Sequence, residues 1–270
     1  MIANVLTIAG TDPSGGAGIQ ADIKTFSALG AYAASAITAV VAQNTQGVRS
    51  FVALEPEFVA DQIDAVFDDV RIDAVKIGMV ANAGIAEAIA DRLHYHRARK
   101  IVLDPVMVAK SGHHLLDDDA VASIREVLIP LATVITPNLP EAAVLLNIEP
   151  SWSIHEMNAR VKDLSQLGSQ WVLLKGGHLE GSDQSIDLLH DGVQTIELTA
   201  PRIATKNDHG TGCTLSAAIA ALLPSNAVEE SVRHAKSYMH GALSASEELD
   251  VGHGHGPLHH FYDLWREQRD

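Results

Sequence analysis

Val5-Leu6-Thr7-Ile8-Ala9, followed at once by Gly10-Thr11-Asp12-Pro13-Ser14-Gly15-Gly16-Ala17-Gly18, is the stretch whose reading decides the fold. An apolar run that stops in a glycine-rich turn reads as a buried strand feeding a helix. A second turn, His209-Gly210-Thr211-Gly212-Cys213-Thr214, stands directly before the apolar-periodic stretch Leu215 to Leu223. Helix N-termini carry unpaired N–H groups and a partial positive charge, so they hold anions. Glycine lets ligand oxygens come close to the backbone. Two such turns predict a site for a phosphorylated molecule.

Working outward, short apolar runs alternate with longer amphipathic stretches. The runs are Val5–Ala9, Ala36–Ala42, Ala74–Gly78, Ile101–Leu103, Thr133–Ile135 and Trp171–Leu174. Their near-continuous hydrophobicity predicts strands covered on both faces. Helical spacing runs through Phe58–Val70, Ile85–His96, Asp118–Ile129, Ile154–Leu167, Leu215–Leu223 and Ala227–Ser246. Ile186–Leu189 and Val193–Leu198, turning at His190-Asp191-Gly192, read as a small β-hairpin. The alternation predicts an α/β fold, a doubly wound and mostly parallel sheet flanked by helices. With no repeat and no low-complexity linker, residues 1–270 are expected to form a single domain.

Composition narrows the function. The 19 basic and 34 acidic residues give a net charge of −15, which argues against nucleic-acid or anionic-membrane surfaces. Aromatic residues are too scarce for base-stacking platforms. The single cysteine, Cys213, excludes an internal disulfide and suits a reducing cytoplasm. Met1-Ile2-Ala3-Asn4 has no basic segment before an apolar stretch, so no signal peptide is expected. No apolar run approaches the ~20 residues of a membrane span.

In wound sheets ligands bind beyond the carboxyl ends of the strands. Those ends carry Gly10 to Gly18, Gln43-Asn44, Gly78-Met79, Asp104-Pro105, Thr136-Pro137-Asn138 and Lys175-Gly176-Gly177-His178. Gly16-Ala17-Gly18-Ile19-Gln20-Ala21 fits the dinucleotide pattern G-x-G-x-x-A, but Gln43-Asn44 replaces the acidic residue that would hold a ribose. No P-loop motif is present. The turn Gly210 to Cys213 reads either as a tight turn with a buried cysteine or as an anion hole for a transferring phosphoryl group. In the second reading Cys213 stands where a base for the incoming hydroxyl belongs, and the helix N-terminus is expected to lower its pKa. Asp208 is a local rival, read as a cap or turn residue. Asp104, Asn138 and Glu141 fit either caps or oxygen ligands suited to Mg²⁺. Lys175 fits compensation of phosphate charge. Gly252-His253-Gly254-His255-Gly256-Pro257-Leu258-His259-His260 reads as a loop that closes the site or docks the C-terminus, with metal binding the lesser option. Asp68-Asp69 and Asp117-Asp118-Asp119 read as solvated faces or helix starts.

Several of these segments together resemble one enzyme family. Ala9 to Asp22, Val40 to Thr45, Lys76 to Met79, Leu103 to Met107, Thr136 to Ala142, Leu174 to His178 and His209 to Ser216 are similar, in order, to hydroxymethylpyrimidine/phosphomethylpyrimidine kinases of thiamine biosynthesis. The resemblance covers residues 4 to 262 or so. It implies a ribokinase-like fold and Mg-ATP-dependent phosphorylation of 4-amino-5-hydroxymethyl-2-methylpyrimidine, first to the monophosphate and then to the diphosphate. By motif position, it implies that Gln43 hydrogen-bonds the pyrimidine and that Gly10, Ala17, Met79 and Val106 shape its pocket. Gly210, Gly212 and Cys213 would form the anion hole. Lys175, Asn138, Thr211 and Gly212 would hold ATP, and Asp104 and Glu141 would serve Mg²⁺. In the wider superfamily an aspartate usually occupies the position of Cys213. Pyridoxal kinases, which usually keep it, are the nearest competing substrate class. A homodimer is the expected assembly. A dinucleotide oxidoreductase and a non-catalytic pyrimidine-binding protein are the readings from other classes.

Overall fold

The computed structural model describes residues 1–107, 118–149, 151–177, 179 and 183–265; His178 and Asp117 of the motifs above lie outside them. The chain runs β1 (Asn4–Ala9), α1 (Gly18–Ala28), β2 (Tyr32–Ile37), β3 (Ala39–Asn44), β4 (Gly47–Ala53), α2 (Pro56–Phe67), β5 (Ala74–Ile77), α3 (Ala83–Tyr95) and β6 (Ile101–Leu103). It continues with α4 (Asp118–Ser123), β7 (Val134–Ile135), α5 (Leu139–Leu146), α6 (Ile154–Ser165), β8 (Trp171–Lys175), β9 (Gln184–His190), β10 (Thr195–Pro201), α7 (Thr211–Leu222) and α8 (Val228–Ser244).

An eight-stranded sheet has the order β10-β9-β8-β7-β6-β5-β1-β2. Its pairs from β2 to β8 are parallel, and β8, β9 and β10 are antiparallel. Its two faces are covered by separate apolar layers, one containing Leu6, Ile8, Ile77 and Leu103, the other Val5, Val102, Val134 and Leu173. Alternate residues of one strand thus face opposite layers, which is why the runs lack polar interruption. The chain leaves β1 for β2 on one side and later returns to β5 on the other. That reversal opens a crevice beside the carboxyl end of β1.

Three expectations need correction. The run Ala36–Ala42 is not one strand: it divides at Thr38 between β2, in the large sheet, and β3, which pairs only with β4. Buried Thr38 makes the break, its N–H bonding the Ala9 carbonyl at 3.0 Å and its hydroxyl donating to the Met79 carbonyl at 2.6 Å. Gln43 therefore stands on a separate hairpin that rises from the sheet edge. The helical stretch 118–129 is also subdivided, with π-helical Ile124–Leu128 and a 3-10 turn at Ile129–Leu131, where Pro130 cannot supply an N–H. Finally, the 186–198 hairpin is present as β9 and β10 and extends the large sheet through β8, but its turn begins later than expected, since His190 belongs to β9.

Candidate active site

The first glycine turn is built around Asp12. Its carboxylate, 1% exposed, accepts from Ser14 N–H at 2.9 Å, Ser14 Oγ at 2.6 Å, Gly16 N–H at 3.1 Å and Ala17 N–H at 2.8 Å. His209 Nε2, from the second turn, lies 2.8 Å from the same carboxylate. Burial pushes the Asp12 pKa up, but hydrogen bonds from His209, Ser14 and Gln43 outweigh it and hold the group well below the usual carboxylate range. Ala17 is the N-cap of α1, and Gly210, with φ of 86°, is the N-cap of α7. The turns touch so closely that a Cβ on Gly210 would sit 1.8 Å from the Gly16 carbonyl oxygen.

The N-terminus of α7 overhangs charged residues from two strand ends. Asp104, just past β6, accepts from Lys175 Nζ at 2.9 Å and Thr136 Oγ1 at 3.0 Å. Ser216 Oγ, one turn into α7, lies 3.3 Å from its other oxygen. A Cβ on Gly212 would sit 3.2 Å from Lys175 Nζ and 3.5 Å from Asp104 Oδ2. Burial raises the Asp104 pKa, but Lys175 and Lys76 outweigh it and bring it down. Burial lowers Lys175, but Asp104 and Glu141 outweigh it and hold it up. Asn138 caps α5 by accepting from Glu141 N–H at 2.9 Å, while Glu141 Oε2 accepts from Asn138 N–H at 2.8 Å. The cap reading of Asn138 therefore holds. Buried Glu141 is pushed up to about 7 by desolvation, against the pull of Lys175.

Beneath this lies a second ion pair that sequence reasoning missed. Lys76 Nζ sits 2.9 and 3.0 Å from the two Asp22 oxygens, and Thr7 Oγ1 donates to Asp22 at 2.6 Å. All three residues have no exposure. The signal was a lysine inside the otherwise apolar Ala74-Val75-Lys76-Ile77. A fully buried pair gains little stability over apolar packing, so its place under the site is the informative fact.

Cys213 corrects an expectation. Burial pushes its thiol up to about 11, outweighing the lowering by Lys76 and by the Gly18 N–H that bonds it. The free protein thus carries a neutral thiol there, not the activated thiolate a helix N-terminus favours.

The apolar half of the site is equally local. A Cβ on Gly10 would lie 3.1 Å from Met79 Sδ and 3.7 Å from Val41 Cγ2. Ala39, Val41 and Met79 form a small buried cluster with Val106 packed against it. Gln43 follows a bulge in β3 after Ala42, and its side chain reaches Asp12. Gly10, Ala17, Gln43, Met79 and Val106 thus gather on one side of the two turns. Gly210, Thr211, Gly212 and Cys213 gather on the other with Lys175, Asp104, Asn138 and Glu141.

The histidine-rich segment docks on the hairpin. His255 N–H bonds the Thr45 carbonyl at 2.8 Å, Gly254 N–H bonds Thr45 Oγ1 at 3.1 Å, and His255 Nδ1 lies 3.0 Å from Asp208 Oδ1. Asp208, the residue before His209, is thus engaged by His255. Among the described residues no group of three or more histidine, cysteine, aspartate or glutamate side chains is placed to hold a metal ion. Asp68 and Asp69 are exposed, and Asp118 and Asp119 lie in the first turn of α4. Among the described residues no helix is long and apolar enough to cross a membrane.

Comparison with known proteins matches this architecture. The family model described as phosphomethylpyrimidine kinase matches residues 12–259. The hydroxymethylpyrimidine/phosphomethylpyrimidine kinase of Escherichia coli strain K12 is 56% identical over 97% of this chain and 98% of its own. Pyridoxal kinase of Bacillus subtilis, solved as an ADP complex, superposes with a TM-score of 0.88 at 34% identity, covering 96% of this chain and 98% of its own. Phosphomethylpyrimidine kinase of Clostridium difficile 630 superposes with a TM-score of 0.78 at 41% identity, covering 88% and 98%.

Proposed function

The chain belongs to the phosphomethylpyrimidine kinase family, and from that premise we propose how its residues divide the work. The enzyme phosphorylates 4-amino-5-hydroxymethyl-2-methylpyrimidine and then the resulting monophosphate, using ATP, and so supplies the pyrimidine diphosphate for thiamine assembly. The observation that carries this reading is the meeting of the uncapped α7 N-terminus with the Lys175–Asp104 pair, beside an apolar recess that ends in Gln43.

Gln43 reads the pyrimidine, and Gly10, Ala17, Met79 and Val106 enclose it. The N–H groups of Gly210, Gly212 and Cys213 face the phosphoryl group in transfer, where negative charge spreads over its oxygens. Lys175, Asn138 and Thr211 hold the ATP phosphates. Buried Asp104 and Glu141 are hard oxygen donors, the chemistry Mg²⁺ takes, and they would hold the ion beside the ATP phosphates. When bound there, Mg²⁺ supplies charge neutralisation. Cys213 lies nearest the incoming hydroxyl. It accepts the hydroxyl proton at Sγ only after losing its own, and the Lys76 charge beneath it favours that loss. The assembly is a homodimer formed through the outer face of the hairpin. There Val40 and Val52 pair across the β3–β4 ladder and are 52% and 68% exposed.

Turnover of ATP and Mg²⁺ with hydroxymethylpyrimidine, its monophosphate and pyridoxal, assayed in parallel, tests the reading. Successive formation of mono- and diphosphate is expected. Turnover of pyridoxal alone would keep the phosphate site and overturn the substrate.

A further inference from the structure

Asp12 and His209 are separated by 197 positions, yet they make a side-chain link between the two glycine turns, beside the bond from the Gly18 N–H to Cys213. A carboxylate only accepts, so His209 Nε2 carries the hydrogen that joins them. The same Asp12 oxygen accepts the N–H groups of Gly16 and Ala17, which shape the start of α1. On the other side, His209 directly precedes Gly210, the first residue of the anion-binding turn. The contact is tight, since a Cβ on Gly16 would lie 2.5 Å from His209 Cδ2. His209 is also pinned from outside, its N–H bonding the Gly256 carbonyl at 3.0 Å.

We infer that Asp12 and His209 are positioning residues that set the distance between the pyrimidine-side turn and the phosphate-side turn. The pair acts through the residues it holds, Ala17 and Gln43 on one side and Gly210 on the other. Phosphoryl transfer needs the acceptor oxygen and the anion hole in register, and a misplacement of about 1 Å can cost on the order of a hundredfold in rate. Loosening this link therefore lowers kcat while leaving each binding half intact. It also lets water compete with the misaligned hydroxyl, so ADP forms in excess over phosphorylated pyrimidine.

The inference rests on the kinase reading, and the experiment separates the two. The kinetics of wild type, His209→Leu and His209→Gln are measured with hydroxymethylpyrimidine and ATP, together with the ratio of ADP to pyrimidine phosphate. Leucine removes the donor, whereas glutamine keeps an amide N–H of similar reach. His209→Leu is expected to lose about ten- to a hundredfold in kcat, with KM for ATP within about twofold and a raised ADP ratio. His209→Gln is expected to recover most of the loss. If His209→Leu does not fold, His209→Asn, polar but too short to reach Asp12, takes its place with the same expectation. Wild-type kcat in the donor-lacking variant, equal loss in both variants, or a loss confined to KM would overturn the inference alone. A wild-type protein that phosphorylates no pyrimidine would overturn the kinase reading and this inference with it.

Discussion

At the scale of single residues, two groups, half-buried Cys213 and buried Glu141, have pKa values shifted far from their usual range, and each makes a prediction. Cys213 has its pKa raised by burial to about 11. Alkylation of the free protein by iodoacetamide should therefore climb about tenfold per pH unit from neutrality upward, because the thiolate is the nucleophile. A kcat that stays flat over that range would remove Cys213 as the base. Cys213→Ser is nearly isosteric and should keep the melting temperature while losing at least about a hundredfold in kcat. Glu141 has its pKa raised by burial from 4.5 to about 7. A carboxyl raised on folding contributes stability below its unfolded pKa and loses it as pH rises through the folded one. The window is thus about pH 4.5 to 7. Glu141→Gln should raise the melting temperature of the ligand-free protein at pH 8 and change it little at pH 4. Equal changes at both values would show that the charged carboxylate carries no such cost.

At the scale of elements, the glycines around the candidate site divide into those that must be glycine and those that need not be. Gly210 has φ of 86°, and a Cβ there would meet the Gly16 carbonyl oxygen at 1.8 Å. Gly210→Ala should destabilise by at least about 1–2 kcal/mol from the left-handed backbone alone. Gly177 is not in the left-handed region, and among the described residues nothing lies within 4 Å of its Cβ position, so Gly177→Ala should leave the denaturation midpoint unchanged. Equal midpoints for the two variants would contradict the close approach of the turns. The same element scale explains what could be read from the chain. β1, β5, β6 and β8 were legible because strands covered on both faces carry unbroken apolar runs. β2 and β3 merged in the reading because Thr38, the break, is small and uncharged and leaves the hydropathy pattern continuous. β4 was not anticipated, because Arg49 and Ser50 interrupt the apolar pattern of a strand that is mostly exposed.

At the scale of the whole molecule, the candidate site residues could be picked out as a set because they stand at strand ends and helix starts, where polar residues interrupt the apolar pattern. Their pairing could not. Asp12 with His209, Asp22 with Lys76 and Thr45 with His255 join distant segments, and such partnerships leave no mark in local spacing. Assembly is a property of this same scale. The hairpin that carries Gln43 is only two strands wide, and such a unit has little independent stability. One face is held by Val41 against Met79 and one end by the Thr45–His255 contact. The opposite face presents Val40 beside Val52 to solvent. Covering that face with a second copy would bury both valines and stiffen the strand on which Gln43 stands. Light scattering after size exclusion should then give twice the mass of one chain. Val40→Asp combined with Val52→Asp should give the mass of one chain and a raised KM for the pyrimidine, because Gln43 loses its support. A wild-type protein with the mass of one chain would remove the dimer, whereas a dimeric double variant would move the interface to another face.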